Sequence, residues 1–394
     1  NAYLSDIYFI DGQALDPTHF AHSHPSTRRW SPKRYQGTYG NNGFHLEFKN
    51  KGTNTGEGGI GEDTSGNGNH WAVTGLAAHD IVPDSPSNNF ATWNTLVNGG
   101  ALSDGNLKFS HTAYDITKST FATISLPNTG VYYWEMYEDV AIPTNDRVSF
   151  GICDSIHARK AIQSTYIIFE TDSHGYTDRT NAGSPRYVVN GNDITGTNID
   201  YGSGGVISFY VDMDRNTFTI GRNNLGYETY SFPRNYNITY SIFVNLFCDA
   251  TSGTHTISQR VNFGQDPTFG GNLTTNKTYA DANNRGQFNY PPPATALALC
   301  EKNLTQPQDS VSEYLVDNTK TKTLTYTGNV EISKFSPYLQ DEYSLYSNNA
   351  GLKLTNSKSD FNYLHDNTSD YTISFWMYRM KDTGVSEILI DNAG

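Results

Sequence analysis

The chain has 394 residues, 36% of them hydrophobic and only 17% charged, with 27 tyrosines, 20 phenylalanines and 35 glycines. Charged residues fall below the usual ~25% and Asn, Thr, Ser and Gly take their place, which argues against a helical bundle and for turn-rich β structure. The net charge of −13, with no basic run, argues against duplex nucleic acid or an anionic membrane as partner, since both need a Lys/Arg patch against phosphate.

Tyr3 to Ile10 reads as a strand ending at the Asp11-Gly12 turn. It is apolar on both faces, Ile7 and Phe9 against Leu4, Tyr8 and Ile10, so burial on both sides is expected. Asp16-Pro17-Thr18 carries an N-cap followed by Pro at the first helical position, which predicts a short helix through Phe20. Gly37 to Phe48 reads as a turn feeding a second strand. In Asp63-Thr64-Ser65-Gly66-Asn67-Gly68-Asn69, the oxygen-bearing side chains of Asp63, Ser65, Asn67 and Asn69 alternate as in a Ca²⁺ loop, but no distal bidentate Glu follows. An Asx-rich turn with Gly at positive φ explains the same residues without a metal.

Gly130 to Ser155 alternates large and polar residues on either side of Pro143-Thr144-Asn145-Asp146, the pattern of two strands joined at a sheet edge. Tyr133, Glu135 and Tyr137 share one face. Tyr132, Trp134, Met136 and Glu138 share the other, which is expected to face the core, with Trp134 buried. The stretch 171–204 reads as irregular. Exposed aromatics in loops at the end of a sandwich suit carbohydrate, because sugar faces stack on rings while Asn and Asp bind hydroxyls. Tyr176, Asp178, Arg179, Tyr187 and Asn190 are therefore the candidate ligand-binding residues. Gly205 to Tyr230 predicts a hairpin turning at Asp212 to Asn216, with Asp214 to Asn216 exposed.

Gly270 to Pro307 is rich in Asn, Thr and Pro and reads as a connector packed along the sandwich, with a domain boundary in Gln306 to Ser312. Thr321 to Ile332 predicts one or two further strands. Cys153, Cys248 and Cys300 have no CxxC spacing, so neither a disulfide framework nor a zinc site is expected. Asp212 and Asp214, or Glu135 and Glu138, are the only carboxylate pairs suggestive of a glycosidase. Asp212 and Asp214 are better read as turn residues, and no hydrolase or phosphate-binding motif is present. No catalysis is expected. No apolar run approaches the ~20 residues of a membrane-spanning helix, so membrane insertion is not expected.

The YWEM and SFGI strands, the VDMDRNT hairpin and the closing NFGQ together resemble the SPRY family over about residues 101 to 268. The usual Tyr-Lys-Asn-Gly turn is replaced by Gly221-Arg222-Asn223-Asn224. IYFIDGQAL, WSPKRYQGTYGNNGFHLEF, EDTSGNGNHW and DSPSNNFATWN resemble the leader preceding SPRY domains in tail-fibre and other virion proteins of marine bacteriophages. RVNFGQDPTFGG, DANNRGQFNYPPP and LALCEKNLTQP continue that likeness. Leu352-Lys353-Leu354, Tyr371 to Tyr378 and Glu387 to Ile390 resemble the first half of a laminin-G-like, or concanavalin A-like, jelly roll. Half a jelly roll leaves strands unpaired, so either the protein continues beyond Gly394 or neighbouring subunits complete the sheet.

The resemblance implies an all-β chain: an N-terminal β-rich attachment domain (1–98), a SPRY-type antiparallel sandwich (99–268), a connector (269–334) and an incomplete jelly roll (335–394). It implies a virion protein, a tail fibre or a capsid-decorating head fibre, whose partners are other virion proteins and a host-surface glycan or protein. The uncovered apolar segments suggest a homo-oligomer, with a trimer favoured.

Overall fold

The computed structural model describes residues 3–23, 30–113, 116–139, 146–160, 163, 165–179, 186–196, 204–249, 254–275, 277–304, 324–333 and 344–354. The chain forms two compact units, Asn1–Gln306 and Pro307–Gly394.

The first unit opens with short strands: β1 (Ile7–Phe9), β2 (Ala21–Ser23), β3 (Trp30–Pro32) and β4 (Phe44–Leu46). The predicted helix is a single 3-10 turn, Pro17–His19, and Asp16 caps it by accepting the Thr18 N–H at 2.9 Å. β1 pairs antiparallel with β4, so Tyr8 lies opposite His45 and Phe9 opposite Phe44. One face of this ribbon is covered by rings: Tyr8 stacks on His45 at 4.1 Å and meets Phe20 and Tyr39. On the other face the Phe9, Phe44 and Trp71 rings touch in series, and both Phe9 and Trp71 remain about half exposed. The expected burial of Tyr3–Ile10 on both sides is therefore not met among the described residues. The loop carrying Trp71 reaches the second face but covers it only in part, leaving Phe9 half exposed.

The sandwich begins with β5 (Trp93–Asn98), β6 (Ala101–Ser103), β7 (Lys108–Ala113) and β8 (Ile116–Ala122). Next come β9 (Val131–Glu138), β10 (Arg147–Asp154), β11 (His174–Arg179), β12 (Arg186–Val189) and β13 (Asn192–Gly196). The hairpin of β14 (Val206–Asp212) and β15 (Thr217–Arg222) leads to β16 (Leu225–Ser231), β17 (Tyr240–Cys248) and β18 (His255–Asn262). One sheet runs β13-β12-β11-β10-β17-β8-β5 and the other β16-β15-β14-β9-β18-β7-β6, with neighbouring strands antiparallel in both.

The expected core face is the one that packs between the sheets. Trp134 is fully buried, lies opposite Phe209 in register and meets its ring at 4.5 Å. Tyr132, Met136, Phe150, Ile152, Val211, Phe218 and Val244 complete the same cluster. Each such buried side chain contributes roughly 1.5–3 kcal/mol relative to exposure. All three cysteines are buried, and none forms a disulfide.

The opposite face of β9 is buried as well. After β18 the chain folds back over it, and β19 (Ala296–Ala298) joins β9 in parallel, with Ala296 opposite Val131. Phe288 meets Tyr133 edge-on at 5.0 Å, and Phe269 stacks on Tyr137 at 5.3 Å. Glu135, between those tyrosines, is completely buried. Its Oε1 accepts the Tyr290 N–H at 2.8 Å and the Tyr133 hydroxyl at 3.0 Å. Its Oε2 accepts the Asn289 N–H at 2.9 Å and the Asn262 amide at 3.0 Å. One carboxylate thus fastens the covering segment to the sheet. Burial outweighs these donors and pushes its pKa up to about 7.

In the second unit, β20 (Leu324–Ser333) and β21 (Ser344–Leu354) form an antiparallel hairpin. The expected jelly-roll strands at Tyr371–Tyr378 and Glu387–Ile390 lie outside the described residues.

Candidate binding surface

The five ligand-binding candidates separate. Tyr176 and Tyr187 are both fully buried and lie opposite each other in β11 and β12. Tyr176 stacks on Phe150 at 5.1 Å, and Tyr187 packs on Phe218 and Tyr230. The expectation that these rings grip a ligand is corrected: within the stretch read as irregular, residues 174–179, 186–189 and 192–196 are sheet strands, and both tyrosines lie in the core. Asp178 and Arg179 end β11, opposite Val148 and Arg147 of β10, and their side chains lie outside the described residues. Asn190 is exposed at a positive φ of 51° in the β12–β13 turn. Its side-chain oxygen accepts the Asp172 N–H at 2.8 Å, and its own N–H donates to Nδ1 of His174 at 3.0 Å. Burial holds the His174 ring neutral, with its pKa lowered to about 4.

The Ca²⁺-like loop is a hydrogen-bond hub. Asp63 Oδ1 accepts the N–H groups of His45 and Ser65, at 2.9 and 2.8 Å. Its Oδ2 accepts the Ser65 hydroxyl and the Asn69 N–H, both at 2.9 Å. Burial works to raise the Asp63 pKa, yet these donors hold it below the ordinary value. Asn67 donates its amide to the Gly40 and Gly43 carbonyls, and Asn69 donates to those of Asn41 and Gly43. Asp63 and Ser65 use their oxygens, and Asn67 and Asn69 their amides, to pin two loops together, which accounts for the string without a cation.

Two of the carboxylates considered for glycosidase chemistry, Asp212 and Glu135, are committed to hydrogen bonds through both oxygens. Asp212 caps its own turn, accepting the Asp214 and Arg215 N–H groups at 3.0 and 2.8 Å and the Arg215 guanidinium at 2.9 Å. Of the three tip residues expected to be exposed, Asp214 and Arg215 are, whereas Asn216 is only partly so. Glu135 faces the covering segment.

A further surface lies at the pole of the sandwich, where this hairpin meets the loops 126–130 and 232–239. Their bases are anchored in the core: Phe232 and Tyr240 are buried and flank His174, at 4.7 and 5.9 Å. From this base Arg234 reaches across both neighbouring loops, donating to the Met213 carbonyl at 2.5 Å and to the Asn128 carbonyl at 2.7 Å. Its guanidinium carbon lies 4.7 Å from the centre of the Tyr236 ring. The Asn216 amide donates to the Tyr236 hydroxyl at 3.4 Å. Tyr236 is thereby held by one face and by its hydroxyl, while the residue stays 71% exposed. Asn235, tied to Asp172 at 3.3 Å, links the pole to Asn190. The arrangement presents a fixed aromatic ring in a polar rim.

Tyr236 carries no local signal in Pro-Arg-Asn-Tyr-Asn beyond an aromatic in a turn-rich string. Its support comes from Asn216 and, through Arg234, from Asn128, which sequence spacing does not bring together.

Neither a family model nor a curated protein matches this sequence. Among solved structures, the SPRY domain of human HERC1 is similar at 14% identity and a TM-score of 0.33, covering 43% of this chain and 96% of that one. The TRIM65 PSpry domain is similar at 12% identity and a TM-score of 0.31, covering 44% of this chain and 92% of that one. The Emp47p carbohydrate recognition domain is similar at 11% identity and a TM-score of 0.31, covering 46% of this chain and 97% of that one. The described fold is all-β, built almost wholly of antiparallel sheets, and that assignment stands on the strand pairings themselves.

Proposed function

We propose that this chain is a non-enzymatic recognition module of a bacteriophage virion, a tail-fibre component that holds β-sandwich domains against a host-surface polymer. The observation that carries the reading is the Arg234–Tyr236 pole: a side chain ordered by three loops and a core anchor, yet left largely in solvent. Ordering an exposed aromatic before contact lowers the entropy lost on binding, the usual economy of a recognition surface. The leader phrases of residues 3–94 support the virion assignment. The exposed Tyr3, Leu4 and Phe9 support association of copies through the N-terminal region, with a trimer as the expected state.

The test is retention of the labelled full chain on host cells, read by flow cytometry, with release of reducing ends followed in parallel. Retention without release, together with labelling of whole particles by an antibody to the chain, is the expected result. New reducing ends, or no retention on any host that adsorbs the particle, sinks the reading.

A further inference from the structure

Resting on that reading of the pole, we infer that its ligand is a neutral hexopyranose unit of a surface polysaccharide, stacked on the face of Tyr236 opposite Arg234.

The chemistry of the pole narrows the choice. The Arg234 guanidinium covers one ring face and Asn216 fixes the hydroxyl, so the remaining face is a flat apolar plate with a set orientation. A pyranose has a face of C–H groups matched to such a plate and a rim of hydroxyls. On these loops the exposed residues Thr129, Asp214, Arg215 and Asn237 carry both donors and acceptors for hydroxyls. Asp214 spends one carboxylate oxygen on the Gly130 N–H at 3.1 Å and keeps the other for a ligand.

Other ligand classes fit poorly. A peptide is gripped by addition to a sheet edge, by an apolar groove or by several aligned rings. On these three loops Tyr236 is the sole large hydrophobic side chain that is exposed. Single-stranded nucleic acid also stacks on aromatics, but it needs a cationic track along its backbone. Here Arg215 is paired with Asp212 and Arg234 is spent on carbonyls, within a chain of net charge −13.

The experiment is affinity electrophoresis of the full chain through gels containing dextran, mannan or galactan, with alginate as a charged polysaccharide. Retardation by at least one neutral polymer is expected. Tyr236→Ala should weaken it by about tenfold, the scale of losing a central aromatic contact. Tyr236→Phe, which keeps the plate, should retain it, and all three proteins should melt at the same temperature, because the ring is largely solvent-exposed. Equal retardation of Tyr236→Ala, retardation by alginate alone, or none at all overturns the inference. So does selection from a displayed peptide library of a binder that Tyr236→Ala abolishes. If the chain is retained on host cells and Tyr236→Ala is retained equally, the sugar site falls while the recognition reading stands. Absence of retention on cells fails that reading itself.

Discussion

Replacing Glu135 by Gln isolates the energetic consequence of burying a carboxyl under the covering segment. The folded pKa of about 7 lies above the ordinary 4.5, so the folded protein holds this proton more tightly than the unfolded chain does. The stabilisation is therefore complete below about pH 4.5 and is lost as pH rises through about 7. Each tenfold in proton affinity is worth about 1.4 kcal/mol, so the full change is about 3 kcal/mol, most of it between pH 5 and 8. Because Glu135 is completely buried, solvent screening takes little from that figure. Gln has the shape of the protonated carboxyl and does not titrate, so Glu135→Gln should lose this slope while keeping contributions from other groups. Guanidinium unfolding of the full chain, followed by tryptophan fluorescence at pH 5, 6, 7 and 8, measures it. The difference between wild type and variant should change by about 2–3 kcal/mol across that range, wild type losing more as pH rises. In parallel, one of the Asn289 and Tyr290 amides should lose protection from hydrogen exchange in the variant, since each donates to a different oxygen of Glu135 and Gln keeps only one. Identical pH slopes in the two proteins would refute the reasoning.

Asp63→Ala should destabilise the N-terminal region by about 2–4 kcal/mol, because it strands donors from His45, Ser65 and Asn69. Saturating calcium should leave the wild-type Tm unchanged, and a calcium-dependent rise in differential scanning fluorimetry would restore the metal reading. Gly151→Ala should cost about 3 kcal/mol or more. Its Cβ would stand 2.1 Å from the His174 carbonyl oxygen and 2.7 Å from the Gly175 Cα, both on the neighbouring strand's backbone. Soluble yield and the chemical denaturation midpoint report the loss, and a variant as stable as wild type would show that β10 and β11 are not so closely opposed.

What the sequence by itself determined was local and periodic. The alternation in Val131–Glu138 sorted Trp134 and Met136 onto one face, because side chains in a strand alternate strictly and no other element can change that. Asp212 and the Asp16-Pro17 pair announced their turns, because capping needs only residues two or three positions away. Tertiary structure decided the rest. Residues 174–179 and 186–189 look irregular because their polar residues interrupt the period, yet pairing with β10 and with each other makes strands of them and puts Tyr176 and Tyr187 in the core. The same Asp63 string suits a cation or a hub, and the hub is visible only once the His45 backbone donor, 18 residues away, is brought to it. Glu135 sits on the face of β9 turned away from the inter-sheet core. It is buried because a segment more than 150 residues later delivers two N–H groups to it. Tyr236 becomes a presented ring only where three loops converge. Local pattern fixes which way a side chain points, but what comes to cover it depends on chain closure over long separations, which no periodicity records.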